Sequence, residues 1–543
     1  MRPDACIMAP VASSSEISPF RSDRGRQGSL RDLFALLGDL LIDGGDARLA
    51  LDRPWGRNAY GCGPAPSPDI LNFASSTASS ISERAYARAE LARERLMHAA
   101  IHHGVGEALD RRTEEMRGEL KTLLGLDVGT GIVFSPSGTD AQLHALALSQ
   151  ALRGDALTTI VVASDQTGSG TQFTARGRHF CVTTAQGAPV QKGGPIEGLA
   201  VDSVAVPLLD GATLAPDGDY GPAVVAAVET AIASGHAVLL QVMDASKLGW
   251  RAPDQSCLDE IVRRWPGQVQ VVVDACQMRL GRRRIRNYLD RGYLVLVTGS
   301  KFFGGPAFSG AMLVPPQLAC VVEGRGPLAA GLSDYVSRSD WPMNWTALRA
   351  ASPERANIGQ WLRWEAALEE ISAYYQVPDR YRRMVLRELG TITESLLMLS
   401  PMLRPLAVAE TDADDEEFGQ PTIFPFALQR DGSLLGAGEV QLIHRALQRD
   451  LSAHFSGRAD EVAARQCLIG QPVRVDTPER GSIALLRLCL GARQVTETWS
   501  DDLTTARVNI DAEIGRIADV IAKIELLVTD VSGQDLRDMC DGI

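Results

Sequence analysis

The chain predicts an α/β protein: a mostly parallel sheet covered by helices, with a smaller α+β domain at the C-terminal end. Short apolar runs alternate with helical patterns from residue 131 onward. Two of these runs, Val269 to Val273 and Leu294 to Val297, are separated by a polar, arginine-rich segment long enough for one crossover helix. After Pro315 the rhythm changes to long helices mixed with isolated strands.

Residues 1–29 carry Ser, Pro, Arg and Asp and lack the apolar centre of a signal peptide, so they read as a disordered leader. Leu30 to Leu41 has the pattern of an amphipathic helix, and residues 30–75 form an N-terminal helix and arm. Asn72 to Ser80 is small and polar and precedes a long helix over Ser82 to His103, with a second over Asp110 to Leu124. Residues 76–345 form the large domain. Its strands are expected at Gly131 to Phe134, Thr159 to Ala163, Ala237 to Met243, Val269 to Val273 and Leu294 to Val297. Helices are expected at Ala141 to Arg153, Tyr220 to Ser234 and Leu258 to Arg264, and a loop at Gly331 to Asn344. Residues 346–543 form the smaller domain, entered by a helix over Glu354 to Tyr374. It holds helices near Glu439 to Arg449 and Val508 to Leu527, and strands near Thr422 to Leu428 and Ile483 to Leu490. The acidic stretch Thr411 to Glu417 reads as a surface loop, and no internal repeat is visible.

Composition narrows the function classes. The 54 basic and 67 acidic residues leave a net charge of −13, which argues against general nucleic-acid binding. The one dense basic run, Arg282 to Arg286, reads as the solvated face of the crossover helix. Nine cysteines are scattered without a C-x-x-C pair, which suggests reduced thiols in a cytoplasmic protein rather than disulfides or a metal site. No apolar stretch is long enough to predict a membrane span.

The chemistry concentrates at three strand ends. Val269 to Val273 runs into Asp274-Ala-Cys-Gln277, and Leu294 to Val297 runs into Thr298-Gly-Ser300-Lys301 before a glycine pair. With a crossover between them, Asp274 and Lys301 lie at the carboxyl ends of neighbouring parallel strands, where open α/β sheets place ligands. The strand at Gly131 to Phe134 opens into Ser135-Pro-Ser137-Gly138-Thr139, whose hydroxyls and exposed amides at a helix start would cup a phosphate. A carboxylate that keeps a pyridine nitrogen protonated, a lysine that forms a Schiff base and a phosphate cup are what pyridoxal 5'-phosphate requires. Lys247, in Ser246-Lys247-Leu-Gly-Trp250, is a rival lysine, but it does not follow the acid-bearing strand.

With these motifs the chain resembles the fold type I pyridoxal-phosphate enzymes, most of all the class V aminotransferase and cysteine desulfurase superfamily, over Asn72 to Pro315 and more faintly beyond. The resemblance implies that Asp274 and Gln277 meet the ring nitrogen and ring oxygen. It implies that Ser137, Gly138, Thr139, Thr298 and Ser300 bind phosphate, and that Ser246 lies near the cofactor oxygen. Arg487, on the alternating run Leu485 to Gly491, would hold a substrate α-carboxylate, with Arg493 behind it. The family sets a stacking histidine where this chain reads Ser164 to Gly170, so Gln166 or Thr167 would cover the ring face instead. The resemblance also implies a homodimer, with Asn72 to Ser80 covering the site.

Transamination of an amino acid or amine is the first expectation. A cysteine desulfurase-like lyase is the second and needs a thiol on a mobile C-terminal loop; Cys467 is the candidate, although Gln471-Pro472 aligns Ile469 with the family's cysteine. A decarboxylase, or a binding protein that keeps the cofactor fold without turnover, completes the alternatives.

Overall fold

The computed structural model describes residues 30–541 apart from 53–54, 326–327, 409–414, 416, 479–480 and 532. The leader at 1–29 and most of the acidic stretch at 411–417 therefore lie outside the described residues.

The N-terminal helix expected over Leu30 to Leu41 is two pieces, a 3₁₀ turn at Leu30–Phe34 and helix α1 (Leu37–Ile42), joined through an extended Leu36. The break lets Leu33, Leu37, Leu40 and Leu41 all reach the core. Strand β1 (Leu71–Phe73) follows the arm. Helix α2 (Glu83–His103) starts where the Ser82 hydroxyl accepts from the Ala85 amide, a side-chain cap that satisfies a free N–H of the first turn. Helix α3 (Val105–Leu124) begins five residues earlier than expected, because Gly104 at φ +77° turns the chain and Val105, Ala108 and Leu109 are buried.

The large sheet is built from β2 (Gly131–Ser135), β3 (Leu157–Val162), β4 (Asp202–Val206), β5 (Ala237–Met243), β6 (Val269–Asp274), β7 (Leu294–Thr298) and β8 (Gly310–Val314). Helices α4 (Gly138–Arg153), α5 (Tyr220–Ala233), α6 (Gln255–Arg264) and α7 (Arg282–Asp290) connect them. The strand order is β2-β8-β7-β6-β5-β3-β4; β8 runs antiparallel to both neighbours and every other pairing is parallel. The mostly parallel α/β sheet expected from the sequence is therefore present. Strands β2, β3, β5, β6 and β7 all end at one edge, and since β2 and β3 are consecutive in the chain but far apart in the sheet, that edge contains the reversal where crevices form.

The smaller unit begins with α8 (Ile358–Gln376) and α9 (Asp379–Leu399). It continues with β9 (Leu403–Pro405), β10 (Ile423–Arg430), α10 (Ala437–Leu447), β11 (Cys467–Thr477), β12 (Gly481–Cys489) and α11 (Leu503–Thr529). Its sheet runs β1-β11-β12-β10-β9, and β1 pairs parallel with β11, Leu71 opposite Cys467. The arm read as a polar loop is thus stitched into the C-terminal sheet.

Two expectations are corrected here. The basic run is not simply a solvated face: Arg282 stacks 3.7 Å over the Tyr375 ring, and Arg284 lies 3.5 Å from both Asp244 and Asp415. Only Arg283 and Arg286 face outward. Asp415, at the end of the acidic stretch, is likewise buried and accepts from the Gly281 and Phe418 amides, because it joins the crossover turn to the smaller unit.

Candidate active site

The turn after β2 is shaped by what surrounds it. Ser137 caps α4, its hydroxyl accepting from the Asp140 amide at 3.2 Å. A Cβ on Gly138 would fall 2.7 Å from the Cys276 sulfur and 3.6 Å from the Thr298 methyl, so only glycine lets the turns after β2, β6 and β7 meet this closely. A Cβ on Gly170 would fall 2.5 Å from the Thr139 methyl, which brings in the turn after β3. Ser137, Gly138, Thr139 and Thr298 are thus assembled around one point, with buried Ser300 two residues on. The Thr298 hydroxyl donates to the Cys276 carbonyl at 2.7 Å, which leaves its lone pairs free to accept rather than donate.

Asp274 is the last residue of β6, opposite Leu296 of β7. Its carboxylate accepts from the Cys276 amide at 3.1 Å and from the Gln142 side-chain amide at 3.4 Å. Among the described residues no cationic side chain pairs with it within ion-pair distance. Lys301 follows β7 and is half-buried. The Cys276 thiol is within electrostatic reach of both: burial, the Asp274 charge and a hydrogen bond to its carboxyl push the thiol well up, against an opposing pull from Lys301. The acid and the lysine expected to work together therefore share a neighbour.

Other expected residues are engaged elsewhere. Gln277 donates to the Ser76 carbonyl at 3.0 Å and accepts from Arg279 at 2.9 Å, so it holds the 72–80 arm as well as facing the strand ends. The Ser246 hydroxyl accepts from the Leu248 and Trp250 amides of its own turn at 3.3 and 3.1 Å. Ala163, in the left-handed region at φ +55°, turns the chain into the Ser164–Gln166 3₁₀ turn. Gln166 is buried there with its amide nitrogen 3.3 Å from Asp165 and its carbonyl oxygen unpartnered, while Thr167 donates to the Ser164 carbonyl at 2.9 Å.

Arg487 lies on β12, 2% exposed. It donates to the Lys247 carbonyl at 2.9 Å and to the Gln471 carbonyl, and its Nε has no partner. Arg493 donates to the carbonyls of Ser80 and Gly304. Cys467 is not on a mobile loop: it is the fully buried first residue of β11, and burial pushes its thiol up to about 12. Ile469, two residues along the same strand, is also buried.

Three residues escaped the sequence reading. Gln142, one of two polar residues (with His144) in the stretch Ala141–Leu148 of α4, bridges Asp274 to Thr171 (3.2 Å) and Thr174 (2.7 Å). Its place among Ala and Leu was a signal. Arg279 is buried and donates to Thr422, Ser75, Gln277 and Leu490 at 2.8 to 3.3 Å, tying the arm, the crossover turn and the smaller unit together. Burial lowers its pKa to about 10. Arg48 pairs with Asp46 at 2.6 Å and reaches the Ser137 hydroxyl at 3.4 Å, which sets an arm cation at the phosphate turn. Neither arginine had a local signal, since their partners come from distant segments.

No protein-family model and no curated protein matches the chain. Solved structures do. A NifS-like protein is 12% identical with a TM-score of 0.47, covering 83% of this chain and 99% of its own. A putative histidinol-phosphate aminotransferase from Erwinia carotovora atroseptica is 15% identical with a TM-score of 0.41, covering 83% and 96%. The cysteine desulfurase CsdA of Escherichia coli is 15% identical with a TM-score of 0.44, covering 84% and 95%.

Proposed function

We propose that this is a pyridoxal 5'-phosphate enzyme of fold type I that acts on an amino acid or amine through Lys301, with transamination its reaction. One observation carries the reading. At the carboxyl edge of the sheet, Asp274 and Lys301, neither of them ion-paired among the described residues, both act on the Cys276 thiol, against a glycine turn that admits no side chain.

These residues fit the cofactor. The first-turn amides of α4, with the Thr139 and Ser300 hydroxyls, would hold its phosphate, while Ser137 and Thr298, whose hydroxyl protons go to Asp140 and the Cys276 carbonyl, fix the shape of the turn. Asp274 would keep its ring nitrogen protonated, and Lys301 would anchor it covalently. When bound, the cofactor supplies an electron sink for the pair released at the substrate Cα. The protein's part is to hold the Asp274 carboxylate in place through the Cys276 and Gln142 amides, and to offer the Lys301 amine as the base at Cα. Arg487 would orient the substrate by its carboxylate. The burial of Cys467 favours transamination over a desulfurase-like lyase, which needs a mobile thiol. A homodimer, with each site closed by its neighbour, is part of the same proposal.

Borohydride reduction followed by peptide mapping tests the anchor. The cofactor mass is expected on the peptide holding Lys301 and absent from Lys301→Ala; an adduct on Lys247 would overturn the assignment. With a panel of amino donors, keto acid is expected rather than sulfide or carbon dioxide. A bound cofactor that no amino compound ever alters would favour the binding-protein reading.

A further inference from the structure

The crevice holds more positive charge than one carboxylate can balance. Arg487 is buried, and its partners are the carbonyls of Lys247 and Gln471 and, at 3.5 Å, the Thr77 hydroxyl; among the described residues it has no carboxylate. A buried guanidinium without an acid is costly unless a ligand supplies one. Gly470 stands opposite Arg487 in the sheet, where a Cβ would fall 2.8 Å from both Arg487 Nε and the Ser76 hydroxyl, so only glycine lets the guanidinium lie in this position. Arg487 Nε is the nitrogen that has no protein partner.

Lys247 adds a second cation. Its carbonyl accepts from Arg487, which puts the two residues side by side, and its ammonium lies within electrostatic reach of both Arg487 and Lys301. Burial, then Arg487, then Lys301 draw its pKa down to about 8. The one acid that opposes this is Asp165, whose oxygens are already taken by the Leu208 and Leu209 amides at 2.7 and 3.2 Å and by Gln166. Lys247 follows β5, on the opposite side of the Asp274 strand from β7 and the phosphate turn. A phosphate held by Ser137 to Thr139 is therefore on the far side of Asp274 from Lys247.

Resting on the function proposed above, we infer that the substrate carries a second anionic group besides its α-carboxylate, as a dicarboxylic or phosphorylated amino acid does, and that Lys247 holds it next to Arg487. A neutral substrate side chain would leave the Lys247 ammonium in the closed crevice with no counter-charge. A second anion pairs it and restores the proton its surroundings disfavour.

Calorimetric titration of the holoenzyme with unreactive ligands tests this: succinate and 3-phosphonopropionate, which carry a second anionic group and serve as the dianions (the phosphonate being more highly charged at high pH), with butyrate as the monoanion of matched size. At least one dianion is expected to bind about 30-fold or more tightly than butyrate, the scale of a buried charge pair. At pH 8.5 its binding should take up a proton, which titrations in buffers of different ionisation enthalpy measure. Lys247→Met should abolish the discrimination and the proton uptake, and Lys247→Arg should restore the discrimination. The better of the two dianions identifies the second group. Equal binding of dianion and monoanion, full discrimination in Lys247→Met, or loss in Lys247→Arg as well would each overturn the inference. Because the ligands do not react, the result is separate from the Lys301 mapping: discrimination without a Lys301 adduct would sink the proposed function and keep the anion pocket. An adduct without discrimination would do the reverse.

Discussion

Asp140 shows how much a single side chain at this site depends on its surroundings. It is buried three residues after the cap residue of α4, its carboxyl accepts from the Ser137 hydroxyl, and its other oxygen has no partner. Burial and then the Asp46 charge raise its pKa to about 7. Below that pH it is neutral and compatible with a phosphate; above it, a second negative charge stands beside the turn. Affinity for pyridoxine 5'-phosphate, which lacks the aldehyde and cannot form the lysine adduct, should therefore fall relative to Asp140→Asn as pH rises from 6 to 8.5. The expected relative loss is about tenfold, one pKa unit of coupling. Fluorescence titration of both proteins at both pH values measures it, and parallel profiles would refute the role. At this scale the placement of Asp274, Lys301, Ser137 and Gly138 at strand ends was legible because each sits at or within a few residues of the end of an apolar run. Arg279 was not legible: its meaning comes from Ser75, Thr422 and Leu490, which only the folded chain brings to it.

Among the elements, α8 is the one that clamps the rest. Glu365 on its buried face is 1% exposed, accepts from Arg112 at 2.5 and 2.9 Å and pairs with Arg88 at 3.1 Å, which joins α8 to α2 and α3. Glu365→Ala would leave two partly buried guanidinium groups without this acid, although Glu119 still faces Arg88 at 2.8 Å. A loss of roughly 2–3 kcal/mol is expected, below the full value for a buried pair because both arginines are partly solvated. It would be read as a lower denaturant midpoint, with a smaller shift for Glu365→Gln, and an unchanged midpoint would remove the clamp. The long helices and central strands were legible from periodicity and unbroken apolar runs. Strand β4 was missed because Asp202–Val206 is a largely exposed edge, and β8 because its apolar run is short and opens on a glycine. Strand β11 was not among the expected strands; Gly470-Gln-Pro472 interrupts its apolar pattern, as a bulge within a continuous strand.

Over the whole molecule, a net charge of −13 surrounds a strand edge where Arg487 is buried and Lys247 largely so. Anionic substrates must then be drawn in by the local field rather than by the overall charge, so salt should weaken dianion binding less than it would at an exposed patch. Assembly belongs to this scale as well. Light scattering is expected to give twice the 58.4 kDa chain mass for the cofactor-loaded protein, and a monomer with bound cofactor would count against the closed, shared site. Among the described residues no helix is long and apolar enough to cross a membrane. The division into a larger α/β unit and a smaller α+β unit could be read from the change of rhythm after Pro315. The crossing of the arm between them could not, because three residues of strand carry too little pattern to announce a partner so far along the chain.

That crossing has a consequence for biosynthesis. Leu71–Phe73 leave the ribosome early, yet the strand they lie against begins at Cys467, so their backbone hydrogen bonds must wait for most of translation. Until then an unpaired segment of apolar edge stays open to other chains. The segment from Cys467 onward, on emerging, both completes its own sheet and fastens down the arm beside the strand ends.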